Sequence, residues 1–268
     1  MPAIRVAVAG LGAIGRAVAR RLASGMPGLQ LTAVSAKDEG KAREWLASEK
    51  IKCPVAALPD LSRYADVAVE CAPGTLLEQV CRPMLEAGKK VIVVSAAGLI
   101  RNHDLIELAE ARGGQIVVAS CALVGLDALT AAAEGKIRTV RLTTRKPPAT
   151  LAGAPYLQQH GVIVEEIAQA RLVFAGSARE AVAGFPASMN VAAAVALAGI
   201  GPERTTVEIW ADPGVSRNCH TIDVDADSGH FTAAIQNLPS ENAKTSRITA
   251  LSILAALRKL SGPLRVGT

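Results

Sequence analysis

Two places in the chain hold residue types that could do chemistry. The first is "GLGAIG", residues 10–15, which sets Gly10, Gly12 and Gly15 in the G-x-G-x-x-G spacing. Each glycine serves a different physical purpose. The first permits a tight turn, the second lets the backbone approach a pyrophosphate, and the third lets a helix pack closely on its strand. Ala13, Ile14 and Gly15 then open a helix, whose N-terminus offers free N–H groups and partial positive charge to a phosphate. Alone the hexapeptide is a weak signal. Here it lies between the apolar run "AIRVAVA" (3–9) and the helix-spaced "RAVARRLAS", the context that a dinucleotide site requires. An acidic residue that binds the ribose of NAD is expected at the end of the second strand. This chain has Ser35 there, with Lys37 two residues on. A neutral hydroxyl and a nearby cation tolerate a 2′-phosphate, so NADP is expected to bind at least as well as NAD. The alternatives are that Asp38 turns back into the acidic role, or that Lys37 is merely solvated.

The second place is "VSRNCHTIDV", residues 215–224. Strand alternation along 217–226 puts Asn218, His220, Ile222 and Val224 on one face, and Cys219, Thr221, Asp223 and Asp225 on the other. Histidine is suited to proton transfer near neutral pH. A histidine among apolar neighbours is also the pattern of a core ring satisfied by its surroundings. Asn218 at the start of the strand, and the turn at Asp212 and Pro213, favour an end that opens on a cleft. Both readings stay open at this point. Of the other histidines, His230 is expected to face solvent and His103 to start a helix, while His160 lies in an unassigned loop as runner-up.

The elements that must position these groups follow from periodicity. Buried strands are expected at 3–9, 29–35, 66–72, 89–96 and 115–120, alternating with helices. One helix is closed by Gly88 and carries Pro83, which predicts a kink or a start further along; another is capped by Asn102 or Asp104. That alternation implies a parallel, doubly wound sheet. After about residue 120 the period changes to two, at 136–146, 204–212, 217–226 and 230–238, and the last three strands read as an antiparallel meander. Helices fit "SAREAVAGF" and "SMNVAAAVALAGIG", the second opened by Pro186 and Ser188, and the last is "NAKTSRITALSILAALRKL". The expected fold is α/β: a Rossmann-type parallel-sheet domain over 1–120, completed by the C-terminal helix within 242–268, and an α+β domain with a largely antiparallel sheet over 121–241.

Composition limits the function classes. Half the residues are hydrophobic and 20% are charged, as in globular α/β proteins. The net charge of +5 suits small anionic ligands, while dispersed basic residues and 3% aromatics argue against nucleic acid. Five cysteines without a CxxC pair argue for reduced thiols and against a zinc site, so no metal is expected. The apolar stretches near 91–100 and 187–200 are too short to cross a bilayer, and no signal peptide is visible; the cytoplasm is the expected location.

Several stretches resemble one family, the L-aspartate dehydrogenases: "VAVAGLGAIG", "VECAPGTL", "EAGKKVIVVSAAGL", "GLDAL", "LTTRKPP", "VFAGSAREAVAGFPASMNVAAAVALAG", "ADPGVSRNCHTIDV" and "NLPSENAKTS". The resemblance implies a Rossmann domain and a second domain that carries the active site and a homodimer contact. It implies NAD(P)-dependent oxidative deamination of L-aspartate to oxaloacetate and ammonia through iminoaspartate, which in cells can feed NAD biosynthesis. The family's catalytic histidine falls on His220. Its nicotinamide-side contacts fall on Ala122, through the backbone amide, and on Asn190. The dicarboxylate substrate needs cations or N–H groups, for which Lys146, Asn218 and Lys244 are candidates, with Arg145 and Arg217 behind them; the alternative for Arg145 and Lys146 is a solvated loop entry before Pro147 and Pro148. The chain departs from the family where "SCALVG" has Cys121 and Val124 in place of the usual glycines, where the acidic residue after the second strand is absent, and where Cys219 replaces threonine. The rival readings are a related reductase of another small amino, imino or keto acid, and a dinucleotide-binding sensor without turnover.

Overall fold

Runs of valine, isoleucine and alanine that are apolar at every position can form strands only where both faces are covered. Such runs make the first sheet. The computed structural model describes residues 2–239 and 246–267. It divides into two compact units, one of the residues up to 119 with 249–265, the other of residues 120–248 and those after 265.

In the first unit the order is β1 (Ile4–Ala9), α1 (Ala13–Ala23), β2 (Leu29–Ser35), α2 (Glu39–Ser48), α3 (Leu61–Tyr64), β3 (Val67–Glu70), α4 (Leu77–Glu86), β4 (Lys90–Val93), α5 (Ala96–Arg101), α6 (Asp104–Arg112) and β5 (Gln115–Val118). The five strands lie in the order β2-β1-β3-β4-β5, and every pair is parallel. This is the doubly wound arrangement the alternation implies.

Several elements differ from expectation. α2 is an addition to the expected helices; Asp38 caps it, accepting from the Lys41 amide at 3.0 Å. β4 stops at Val93, because α5 begins at Ala96. α4 begins at Leu77, so Pro83 lies within the helix and does not delay its start. α6 is preceded by His103 at its N-cap position, with no side-chain cap, rather than by Asn102 or Asp104.

The second unit runs α7 (Leu126–Ala133), β6 (Ile137–Lys146), α8 (Pro155–Gln159), β7 (Arg171–Ser177), α9 (Ala178–Gly184), α10 (Asn190–Ala198), β8 (Thr206–Ala211), β9 (Asn218–Ala226) and β10 (Gly229–Asn237). The last helix, α11 (Arg247–Ser261), has most of its length in the first unit, where the Ser261 hydroxyl donates to the Pro27 carbonyl.

The second sheet has the order β10-β9-β6-β8-β7. The expected meander of β8, β9 and β10 is therefore wrong in one respect. β9 and β10 form a hairpin, but β6 lies between β8 and β9, parallel to the first and antiparallel to the second. Period-two alternation reports which face a strand buries and says nothing about its neighbour. β7 is a further strand that periodicity did not reveal. α10 begins at Asn190, beyond both Pro186 and Ser188. α9 has a full capping box between Ser177 and Glu180.

The inner face of this sheet is built in rows across the strands. Ala233, Ile222, Leu142 and Val207 make one apolar row, and Ile222 is 1% exposed. Ile222→Ala is expected to destabilise this unit by about 2–5 kcal/mol, read by urea unfolding from Trp210 fluorescence in a Trp45→Phe background. A change below about 1 kcal/mol would contradict the packing described.

Candidate active site

The glycine loop joins β1 to α1. Gly10 has φ of 101°, and a Cβ there would approach the Cys71 carbonyl oxygen to 2.6 Å. A Cβ on Gly15 would overlap the Gly10 carbonyl oxygen. Packing therefore demands the first and third glycines. A Cβ on Gly12 would meet nothing within 4 Å, so the bare backbone there faces space that a ligand can occupy. Gly12 is the N-cap of α1, has no side-chain cap, and no acidic residue stands in the first turn. An uncapped helix start of this kind, followed by Ala13, Ile14 and Gly15, fits a pyrophosphate.

Ser35 ends β2 as expected, its carbonyl accepting from the Gly10 amide at 2.8 Å, but the residue is only 3% exposed. Lys37 is exposed. Asp38 is committed to capping α2. Sequence reasoning also missed Glu70, at the end of β3. Its carboxylate is fully buried and accepts from the Ser95 amide at 2.8 Å, the Val94 amide at 3.1 Å and the Ser95 hydroxyl at 3.1 Å. It fixes the turn between β4 and α5 at the strands' carboxyl ends, and burial pushes its pKa up against those hydrogen bonds.

In the second unit, His220 lies on the inner face of β9, as alternation predicts, and is 4% exposed. Its row is Ile235, His220, Thr144 and Ile209. His220 Nδ1 stands 3.1 Å from Thr144 Oγ1. The next row toward the sheet's end turns polar. Asn237 opposes Asn218 across β9 and β10. One step beyond the paired Arg145 and Cys219 lie Lys146 and Asn218. Lys146 is 5% exposed and joins no ion pair among the described residues. Its Nζ lies 3.4 Å from the Ser188 carbonyl, just before α10 and Asn190. Asn237 is 3% exposed and donates from Nδ2 to the Ala122 carbonyl at 2.9 Å. One inner face thus links Ala122, Asn237, Asn218, His220, Thr144 and Lys146 to the segment that leads into α10. Lys244 lies outside the described residues.

The electrostatics follow from burial. Desolvation first, and the Lys146 charge second, push His220 down to about 3. Desolvation brings Lys146 down to about 8. The ring is thus neutral across the working range rather than poised near neutrality, a correction to the sequence expectation. Asn218 Oδ1 and Asn237 Oδ1 are sealed from water with no partner among the described residues.

The remaining candidates separate from this cluster. Arg145 is on the outer face, its guanidinium 4.5 Å from the Trp210 ring centroid and 3.3 Å from Asp212. Arg217 is exposed. His230 is exposed and 3.0 Å from Asp223. His160 stacks on Tyr156 at 3.9 Å, and His103 is exposed beside Glu107. Sequence reasoning missed Thr144 and Asn237. The signal for Asn237 was present: 231, 233, 235 and 237 share a face, and only the last is polar.

Comparison with known proteins adds a second line. A family model described as "Homoserine dehydrogenase, NAD binding domain" matches residues 10–119, and one described as "Aspartate dehydrogenase, C-terminal" matches 127–260. L-aspartate dehydrogenase 3 of Bordetella bronchiseptica is 51% identical, covering 98% of this chain and 97% of that protein. L-aspartate dehydrogenase of Bradyrhizobium diazoefficiens is 47% identical, covering 99% and 94%. The solved aspartate dehydrogenase of Thermotoga maritima, at 22% identity, superposes with a TM-score of 0.73 over 98% of this chain and 99% of its own, a likeness of fold.

Neutral burial of His220 has a consequence for stability. The unfolded ring titrates near 6.5 and the folded ring near about 3, so between these values the unfolded chain binds more protons. The stability that depends on the neutral ring is present above about pH 6.5 and is lost as pH falls toward 3. Between about pH 7 and about pH 5 the expected loss from this group is about 2 kcal/mol. Urea unfolding of the wild type should show that increment over a His220→Gln variant. Parallel losses in the two proteins would mean that the ring charges freely in the fold.

Proposed function

This chain belongs to the aspartate dehydrogenase family, and we infer that it catalyses NAD(P)-dependent oxidative deamination of L-aspartate to oxaloacetate and ammonia. The observation that carries the reading is a buried imidazole and a buried ammonium, the latter without an ion pair among the described residues, in adjoining rows of one sheet face, in a chain similar to L-aspartate dehydrogenases over nearly its full length.

The dinucleotide, when bound, supplies the acceptor for the hydride that leaves the substrate Cα. The loop Gly10–Gly15 holds its pyrophosphate, and the Ala122 amide and Asn190 are the nicotinamide-side contacts in this reading. The chain's own groups do the rest. Lys146, with no carboxylate beside it among the described residues, meets a substrate carboxylate. With Nδ1–H donating to Thr144 Oγ1, the His220 Nε2 lone pair accepts a proton from the substrate ammonium. The freed amine lone pair then drives hydride departure, leaving an iminium. After the proton on Nε2 has passed to solvent, the same nitrogen takes one from the water that attacks the iminium carbon, and returns it to the departing ammonia. A substrate carboxylate beside Lys146 cancels the smaller of the two contributions that depress His220, the charge of Lys146, while desolvation, the larger, remains. Thr144 orients the ring through Nδ1.

The wider expectations of this reading are a homodimer, a cytoplasmic location, and use of NADP at least equal to NAD, the last from Ser35 and the exposed Lys37. Steady-state kinetics with both dinucleotides tests the last; a strong preference for NAD would defeat it. The direct test of the site is His220→Ala. Turnover of L-aspartate should fall about 10²-fold or more, with dinucleotide affinity unchanged. Near-normal turnover would return His220 to a structural role, and dinucleotide binding without turnover of any small amino acid would favour a sensor.

A further inference from the structure

The mechanism above leaves two buried groups unused. Asn237 Oδ1 and Asn218 Oδ1 are sealed from water and unpartnered among the described residues. A buried acceptor without a donor is unfavourable, and here two stand opposite each other on paired strands. Their orientation is not arbitrary at Asn237, because its Nδ2 is committed to the Ala122 carbonyl at 2.9 Å, which turns the oxygen away as an acceptor. The row continues to Lys146, a cation without an anion among the described residues, and His220 lies in the row behind.

We propose that Asn237 and Asn218 form an acceptor pair for the substrate's amino group, and hence for the ammonia released from it. The row presents two carbonyl oxygens at one end and a cation at the other. An α-amino acid headgroup, with its ammonium and its carboxylate, is complementary to that order. An ammonium needs acceptors, which these oxygens are, while a hydroxyl or keto group in its place would leave at least one of them unpaired. The pair therefore selects amino over hydroxy acids and holds the nitrogen beside His220 for proton removal.

This rests on the aspartate dehydrogenase reading. The test compares L-aspartate with succinate, which keeps both carboxylates and lacks the amine. Equilibrium binding is measured with the reduced dinucleotide present, so that nothing turns over. Asn218→Leu leaves the Ala122 contact intact, and Asn237→Leu removes it as well; thermal melts check that both variants fold. Each variant should weaken aspartate about tenfold or more and succinate about threefold or less, with dinucleotide affinity unchanged in Asn218→Leu. In the reductive direction the same variants should raise the KM for ammonium chloride more than that for oxaloacetate. Equal losses of aspartate and succinate, or a loss confined to the dinucleotide, would overturn the assignment while the enzyme still oxidises aspartate. A wild type that neither binds nor oxidises aspartate would overturn the underlying reading and the assignment with it.

Discussion

An apolar sheet face has to end somewhere, and the residues at that end decide whether the face is a core or a site. On the inner face of the second sheet, Val224, Ile222 and Leu142 are buried among aliphatic neighbours. The same face then passes through Thr144 and His220 to Lys146, Asn218 and Asn237 without becoming exposed. Three of these groups lack a full complement of partners among the described residues: a cation without an anion and two carbonyl oxygens without donors. Burying such groups is unfavourable unless something completes them. A small zwitterion with an extra carboxylate carries the groups that would complete a cation and a pair of acceptors together, which is the basis of the substrate assignment proposed above.

The same constraint sets the protonation states. Low-dielectric surroundings favour the neutral forms of both His220 and Lys146, and their mutual repulsion adds to the effect on the ring. Each therefore responds to what binds beside it. A carboxylate returns Lys146 to a fully charged state and at once removes part of what holds His220 down.

The first unit was legible because its rules are steric. Gly10 and Gly15 meet neighbouring backbone, and only glycine fits; the spacing announces it, and β2 falls on 29–35 as read. The face of His220 was legible because strand period is two. Strand neighbours were not, since β6 enters between β8 and β9 by a long crossover that alternation cannot encode. Thr144 escaped for the same reason, while Asn237 was marked by alternation as the polar end of an apolar face and only its partners needed the register. Glu70 escaped because its partners, the amides of Val94 and Ser95, are backbone.

The departures from the family pattern also acquire a physical meaning. Cys121 adopts φ of 49°, the left-handed region where glycine carries no penalty and another residue is strained by about 1–3 kcal/mol. The glycine that the family resemblance implies here is what the backbone asks for, and this chain keeps the turn with a side chain that resists it. The next residue is Ala122, whose carbonyl is held by Asn237 from β10, and Gly125, with φ of 84°, closes the turn into α7. A strained residue between a sheet-anchored carbonyl and a helix start has few ways to relax without dragging Asn237 with it. The turn is thus tied to β10 by one hydrogen bond, from Asn237 Nδ2 to the Ala122 carbonyl, and a change in residues 120–125 that moves this carbonyl acts on that bond.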